Sequence, residues 1–410
     1  MIKKIIVGQS GGPTAVINSS IAGVYKRAKQ ENITVLGMVH GIEGLLQENI
    51  IDLDEYLKDD NNFELLKRTP SAFLGSCRYK LPKIEENEAI YEKIFEILDK
   101  NEIDALLYTG GNDSMDTVKM LSDYASTHNK KQLFMGVPKT IDNDLPITDH
   151  CPGYGSAVKY IATSIKEIIR DNASFGVVKP TVCIVEIMGR HAGWLTAGAA
   201  LAKGNDCEGV DAIYLPEISF DLNNFIEKVK ALVKVKSSIV IAVSEGISTS
   251  DGKFVCELGN ENKTVDAFGH KQLSGCANTL ANIIAKETGL KTRAIELSTL
   301  QRSATHLASL TDINDALESG ANAVEAILEG KTAMMSIIVR DNNIPYEYHC
   351  ETFDIHNIAN IEKKLPIEWI DIENNQMKEE FITYARPLII GELQPIYVNG
   401  LPAHLIRKKI

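Results

Sequence analysis

The chain has 410 residues, 44% of them hydrophobic and 24% charged, a globular composition long enough for two or more domains with their own cores. A formal net charge of −12 argues against nucleic acid as a partner, since phosphate-backbone binding needs a basic face, whereas a small phosphorylated ligand needs only a few local cations. Seven cysteines with no CxxC spacing argue against a zinc ribbon or a secreted disulfide framework, and no apolar run reaches membrane-spanning length, so no membrane partner and a cytoplasmic location are expected.

Ile5–Gly8 reads as a buried first strand, its apolar stretch being too short for a leader. A glycine turn follows, then a helix over Ala15–Lys29 and a strand over Val35–Val39. Helical periodicity over Ile90–Lys100 leads into a buried strand over Ala105–Tyr108. After Gly110-Gly111 comes a helix over Ser114–Ala125, with further strands over Leu133–Val137, Val182–Ile187 and Ile239–Val243. This β-α-β alternation predicts an α/β fold of parallel sheets covered by helices, with ligands at the carboxyl ends of the strands. From Asp341 onward the pattern is less periodic and holds no motif.

Two glycine turns stand between a strand and a helix. In Ser10-Gly11-Gly12-Pro13-Thr14 the backbone amides can approach a phosphate, or the segment is simply a tight turn; it matches neither the Walker nor the dinucleotide-binding pattern. In Gly110-Gly111-Asn112-Asp113-Ser114, either Asn112 or Asp113 caps the helix, or the turn meets a ligand, in which case Asp113 would repel a polyanion. Pro138–Asp144 follows a strand. If it is extended, Thr140, Asp142 and Asp144 share one face, suited to binding and deprotonating a sugar alcohol, with Lys139 as a compact charge for a transferring phosphoryl group. The alternative is an Asx-turn. Arg190 and Glu245 each follow a strand and read as ligand contacts or as ordinary surface charges. Arg293 and Arg302 flank Leu297–Gln301, and either can clamp a phosphate monoester; Arg78 and Lys80 form one more cationic spot.

Taken in order, SGGPTAVIN, FLGSCRYK, GGNDS, PKTIDND, VEIMGRHAGW, SEG and TLQR resemble the phosphofructokinase family over about the first 340 residues. The resemblance implies two Rossmann-like domains, each a parallel central sheet flanked by helices, with the active site in the cleft between them. It implies Mg²⁺-dependent phosphoryl transfer to the 1-hydroxyl of fructose 6-phosphate. It makes Asp142 the proton acceptor, with Thr140, Ile141 and Asp144 beside it at the reacting centre. Met188, Gly189, Arg190, Glu245, Thr299 and Arg302 match the sugar-phosphate site, Gly12, Arg78 and Lys80 the donor side, and Asn112 the metal position. The donor domain is expected over residues 1–152 plus about 302–345, the sugar-phosphate domain over 153–301, and a C-terminal extension of no assigned role over 346–410.

The donor turns on two positions. Asp113 and Lys139 stand where ATP-dependent members carry glycine, which resembles the pyrophosphate-dependent branch. A carboxylate at Asp113 would repel the α-phosphate of a nucleotide, and Lys139 would supply charge to pyrophosphate, so both stand among the expected catalytic and donor-binding residues. The expected reaction is the readily reversible conversion of pyrophosphate and fructose 6-phosphate into fructose 1,6-bisphosphate and phosphate, by a homodimer or homotetramer. The family pattern is departed from at Asn112, neutral where many members have an acid, at Thr299, where ATP-dependent members often have histidine, and at Ser303-Ala304, in place of two glycines. The rival readings are an ATP-dependent phosphofructokinase, a non-catalytic regulatory subunit, and a sugar-phosphate-binding module. Asp113 and Lys139 oppose the first, and the acids and arginines together oppose the other two.

Overall fold

The computed structural model describes residues 2–175, 179–258 and 275–408. The chain folds as two compact units, one of Met1–Ser156, Arg302–Glu362 and Ile390–Ile410, the other of Ala157–Gln301 and Lys363–Ile389. The segment expected as one C-terminal extension, 346–410, is thus divided between them.

Among the described residues, eleven strands build the two main sheets. In chain order they are β1 (Lys4–Gln9), β2 (Thr34–Met38), β3 (Ile50–Asp52), β4 (Ala105–Gly110), β5 (Leu133–Pro138), β6 (Thr181–Ile187), β7 (Ala212–Tyr214), β8 (Ser238–Ser244), β9 (Lys291–Glu296), β10 (Met334–Asn343) and β11 (Tyr346–Asp354).

The sheet of the first unit runs β11-β10-β5-β4-β1-β2-β3. Its interior is parallel, as expected, but its two edges, β3 and β11, are antiparallel. Only Ile344-Pro345 separates β10 from β11, and so short a connection permits a hairpin but no parallel crossover. Side chains alternate across the sheet. Ile6, Leu106 and Phe134 pack with Phe95 and Leu98 of helix Glu88–Lys100 and Met115 and Val118 of helix Asn112–Thr127. Ile5, Val7, Leu107 and Met135 pack with Ile21 and Val24 of helix Ile17–Gln30 and Val324 and Ile327 of helix Leu310–Leu328. Burial on both faces is why these strands read as unbroken apolar runs. The latter two helices cross at Gly23 and Gly320. A β-carbon at Gly23 would run into the carbonyl of Leu317, and one at Gly320 into that of Ser20.

The second unit holds the fully parallel sheet β7-β8-β6-β9. Val182, Ile184, Ile239 and Ile241 pack with Phe225 and Val229 of helix Leu222–Leu232 and Leu280 and Ile284 of helix Cys276–Thr288. The edge strand β7 is covered by the hairpin of Ile370–Asp371 and Gln376–Met377, where Ile213 N donates to Asn375 O at 2.8 Å. No helix among the described residues is long and apolar enough to cross a membrane.

Candidate active site

In the first unit, β1 ends in the turn Ser10-Gly11-Gly12. Gly11 has φ +74°, in the left-handed region that glycine enters without strain. Ser10 N donates to Thr109 O at 2.9 Å, Gly11 N to Cys77 O at 3.2 Å, and Ser76 Oγ to Gly11 O at 2.6 Å. These bonds tie the turn to the end of β4 and to the irregular segment that carries Arg78 and Lys80, both exposed. The Lys139 Nζ donates to Gly12 O at 2.7 Å, and a β-carbon at Gly12 would stand 2.9 Å from Arg302 Nη1. Gly12, Lys139 and Arg302 therefore converge. Arg302, expected among the sugar-phosphate residues, lies in the first unit against this glycine turn.

The second turn leaves β4 at Gly110, where Lys139 N donates to Gly110 O at 3.0 Å. The helix begins at Asn112, and Gly111, with no side chain, occupies the cap position. Neither Asn112 nor Asp113 caps the helix, which removes that alternative. Asp113 is exposed in the first turn. Asn112 instead uses both ends of its amide: Oδ1 accepts from Asn360 N at 2.6 Å, and Nδ2 donates to Ile361 O at 2.6 Å.

Apart from a single parallel bridge of Thr140 with Gly153, residues 139–150 have no regular structure, and the extended arrangement expected of Thr140, Asp142 and Asp144 does not occur. Thr140 Oγ1 accepts from Asp142 N at 3.1 Å and curls the chain into a turn, and Asn143 sits at φ +56°. The Asn143 Oδ1 accepts from Cys151 N at 2.9 Å, and Thr140 N donates to Pro152 O at 3.2 Å, so the loop closes on itself. Lys139 is 3% exposed. Burial lowers its pKa to about 8 against the opposing pull of Asp142 and Asp144, with Arg302 adding to the decrease. Burial also raises the Asp142 carboxyl, an effect that Lys139 and the Thr140 hydroxyl oppose. Asp144 is pushed up to about 7 by burial and by the charge of Asp142, and its Oδ1 has no hydrogen-bond partner among the described residues. The Ile141 side chain is buried, so only its backbone can meet a ligand.

In the second unit, Met188, Gly189 and Arg190 follow β6, and Glu245 follows β8, the strand paired with it. Gly189 N donates to Glu245 Oε1 at 3.4 Å, Gly246 N to Gly189 O at 3.2 Å, and Ser244 Oγ bonds the same carbonyl. Gly246 is required here, since a β-carbon would run into the Arg190 carbonyl. Gln301, buried and not singled out from the sequence, accepts from Met188 N at 3.3 Å and donates to Ser298 O at 2.9 Å. It thereby joins the turn after β6 to the segment carrying Thr299. It sits on the short helix Leu300–Ser303, and its place directly before Arg302 was the only signal for it in the sequence. Arg293 does not join this group. It lies opposite Cys183 on β9, before the carboxyl end, paired with Asp171 at 3.0 Å and stacked 4.2 Å over Phe175.

The residues present do not form a cage for Mg²⁺. The Asn112 side-chain oxygen already gives one of its two lone pairs to Asn360 N, and no group of three or more His, Cys, Asp or Glu among the described residues is arranged to hold a metal.

The family model for phosphofructokinase matches residues 4–327. The chain is 40% identical over 400 residues to the pyrophosphate–fructose 6-phosphate 1-phosphotransferase of Methylococcus capsulatus, covering 97% of this chain and 94% of that protein. It is 40% identical over 407 residues to the protein of that name from Xanthomonas campestris, covering 99% and 96%. It superposes on the crystal structure of the pyrophosphate-dependent phosphofructokinase of Nitrosospira multiformis with a TM-score of 0.88 at 36% identity, covering 100% of this chain and 98% of that one. Both the matched span, which includes the glycine turns, the acidic loop and Arg302, and the full-length relatives place this chain in the phosphofructokinase family.

Proposed function

We propose that this chain transfers a phosphoryl group from pyrophosphate to the 1-hydroxyl of fructose 6-phosphate, giving fructose 1,6-bisphosphate and phosphate. The observation that carries the donor assignment is Lys139, a buried ammonium fastened to the Gly12 carbonyl and flanked by the acidic loop. Gly12, Arg78, Lys80 and Lys139 hold the pyrophosphate, and Arg302 reaches the same turn. Asp142 takes the proton of the 1-hydroxyl, and Thr140 orients it through the turn it makes with Asp142 N. Met188, Gly189, Arg190, Glu245 and Thr299 bind the sugar phosphate. Catalysis is by positioning and charge: the acceptor oxygen attacks in line, and Lys139 stabilises the charge on the transferring group and the departing phosphate. Phosphoryl transfer in this family generally uses Mg²⁺. The reading carries with it the cytoplasmic location and the homo-oligomer expected above.

Asp113 stands exposed on the first turn of its helix, where its carboxylate and bulk disfavour the longer polyanion of a nucleotide. The test is kcat/KM with pyrophosphate and with ATP. Wild type prefers pyrophosphate. Asp113→Gly raises ATP turnover and lowers pyrophosphate turnover. Lys139→Gly damages the pyrophosphate reaction, and the double variant shifts the donor ratio furthest. Asp142→Asn lowers kcat by about 10²- to 10⁴-fold with its preferred donor. A wild type that prefers ATP, or a donor ratio unmoved by Asp113→Gly, overturns the donor assignment.

A further inference from the structure

The helix that opens at Asn112 holds a distant piece of chain at three points. The Asn112 amide presents its oxygen to Asn360 N and its nitrogen to Ile361 O, each at 2.6 Å, the donor–acceptor pairing a neighbouring strand would offer. One turn further along the same helix, Asp116 Oδ1 accepts from Asn360 Nδ2 at 2.8 Å. Asn360 has φ +63°, a left-handed conformation that asparagine tolerates better than most residues. Just before it, Ile355 and Ile358 are buried in the first unit's core. The segment is therefore anchored by apolar contacts and then aimed by the helix. The next residue is Glu362, the last of the first unit before the chain leaves it. Glu362 is exposed, yet close enough to Asp142 and Asp144 for its charge to act on both.

We propose that Asn112 is a positioning residue: it fastens residues 360–361 and so sets the Glu362 carboxylate beside the acid pair Asp142 and Asp144, and it does not ligate a metal. Where an acid at this position would repel the Ile361 carbonyl, the neutral amide bonds it. Glu362 thus adds, from another part of the chain, a negative charge that acts on the acidic loop. A third carboxylate there strengthens the proton affinity of the base and disfavours any anion that approaches the loop without a compensating cation.

The inference rests on the phosphotransferase reading for its kinetic consequence, but not for its structural one. Two readouts are therefore taken: kcat against Mg²⁺ concentration with pyrophosphate as donor, and hydrogen exchange of the amides of residues 358–363 in the protein without substrates. In Asn112→Ala, kcat falls by about 10- to 100-fold, the scale of a misplaced catalytic group, while half-saturating Mg²⁺ stays where it is. The same amides exchange about tenfold faster or more, because a local opening has become easier. Asn360→Gly keeps the backbone donor and the left-handed conformation, loses only the bond to Asp116, and moves both readouts the same way by less. Asn112→Asp loses turnover with no tightening of Mg²⁺. Tighter Mg²⁺ in Asn112→Asp, or weaker Mg²⁺ in Asn112→Ala, makes Asn112 a metal ligand and overturns the proposal. Unchanged exchange in both the alanine and the Asn360→Gly variants overturns the clamp. If Asn112→Ala fails to fold, Asn360→Gly decides alone. A wild type inactive with pyrophosphate refutes the function and leaves the exchange result to judge the clamp.

Discussion

Lys139 is a buried cation bonded to a carbonyl rather than to a carboxylate, and this sets its acidity. Burial brings its pKa down to about 8, and the neighbouring acids only limit the fall. In the free protein the ammonium is therefore lost as the pH rises through about 8, and kcat/KM for pyrophosphate declines there. Bound pyrophosphate restores the charge, so kcat, which reports the complex, holds to higher pH. Lys139→Arg keeps its cation throughout, so whatever its absolute rate, its kcat/KM profile loses this alkaline limb. A limb that stays at the same pH in Lys139→Arg removes Lys139 as its origin. At this scale the chemistry was legible in part. Lys139, Asp142 and Asp144 announced themselves by type and by place at a strand end. The turn they adopt did not, because it depends on Thr140 Oγ1 choosing the amide of Asp142 and on Pro152 and Cys151 returning to the loop.

The loop that carries Asp142 has no secondary structure of its own, and its return limb is pinned by charge. His150 is fully buried, with Nδ1 on Asp149 Oδ2 at 2.8 Å and Nε2 on Asp315 Oδ2 at 2.9 Å. Arg340 Nη2 holds Asp149 at 2.8 Å, and the Tyr346 hydroxyl donates to Asp315 at 3.2 Å. Tyr348 and Glu318 lie against the same charges, as do Asp312, Tyr154 and Cys350. Burial alone would lower the His150 pKa, but the two carboxylates outweigh it and hold it at about 9. A histidine raised in this way stabilises the fold fully below its ordinary value of 6.5, and the contribution is lost as the pH climbs through 9. Lys139 acts oppositely above pH 8, its depressed pKa favouring the folded state as the pH rises. The comparison that isolates His150 is therefore the unfolding midpoint of wild type minus that of His150→Gln, measured from pH 6 to 10. The difference shrinks across that range. A constant difference means that His150 is not protonated in the fold. Nothing in the sequence pointed to this cluster, since Asp149 and His150, Asp315, and Arg340 come from three separate stretches of chain.

Across the whole molecule, all seven cysteines are free thiols, five of them buried. Burial raises Cys183 to about 11 and Cys350 to about 12, so neither forms a reactive thiolate near neutral pH. The unfolding midpoint is thus independent of added reductant, and all seven thiols titrate in denaturant while Cys183 and Cys350 are silent in the native state. A midpoint lowered by reductant shows a disulfide and contradicts this.

Composition and pattern determined the class of molecule. The apolar runs of β1, β4, β5, β6 and β8 are continuous because both faces of each strand are covered, and continuous runs are visible in a sequence. The motifs that follow them carry the resemblance to the phosphofructokinase family. Tertiary structure decided what such runs do not encode. β7 is three residues long and β9 has exposed ends, so neither shows an apolar run. β11 belongs to the first sheet although it lies in a stretch with no readable motif, because its hairpin with β10 places it there. Arg302 meets Gly12, and Asn112 meets residues 360 and 361, across separations of hundreds of residues. Local residue type sets which groups can do chemistry. Which of them touch is set by long-range packing, and a neutral amide that looks like a weakened metal ligand in the sequence is, in the fold, a clamp with both of its ends in use.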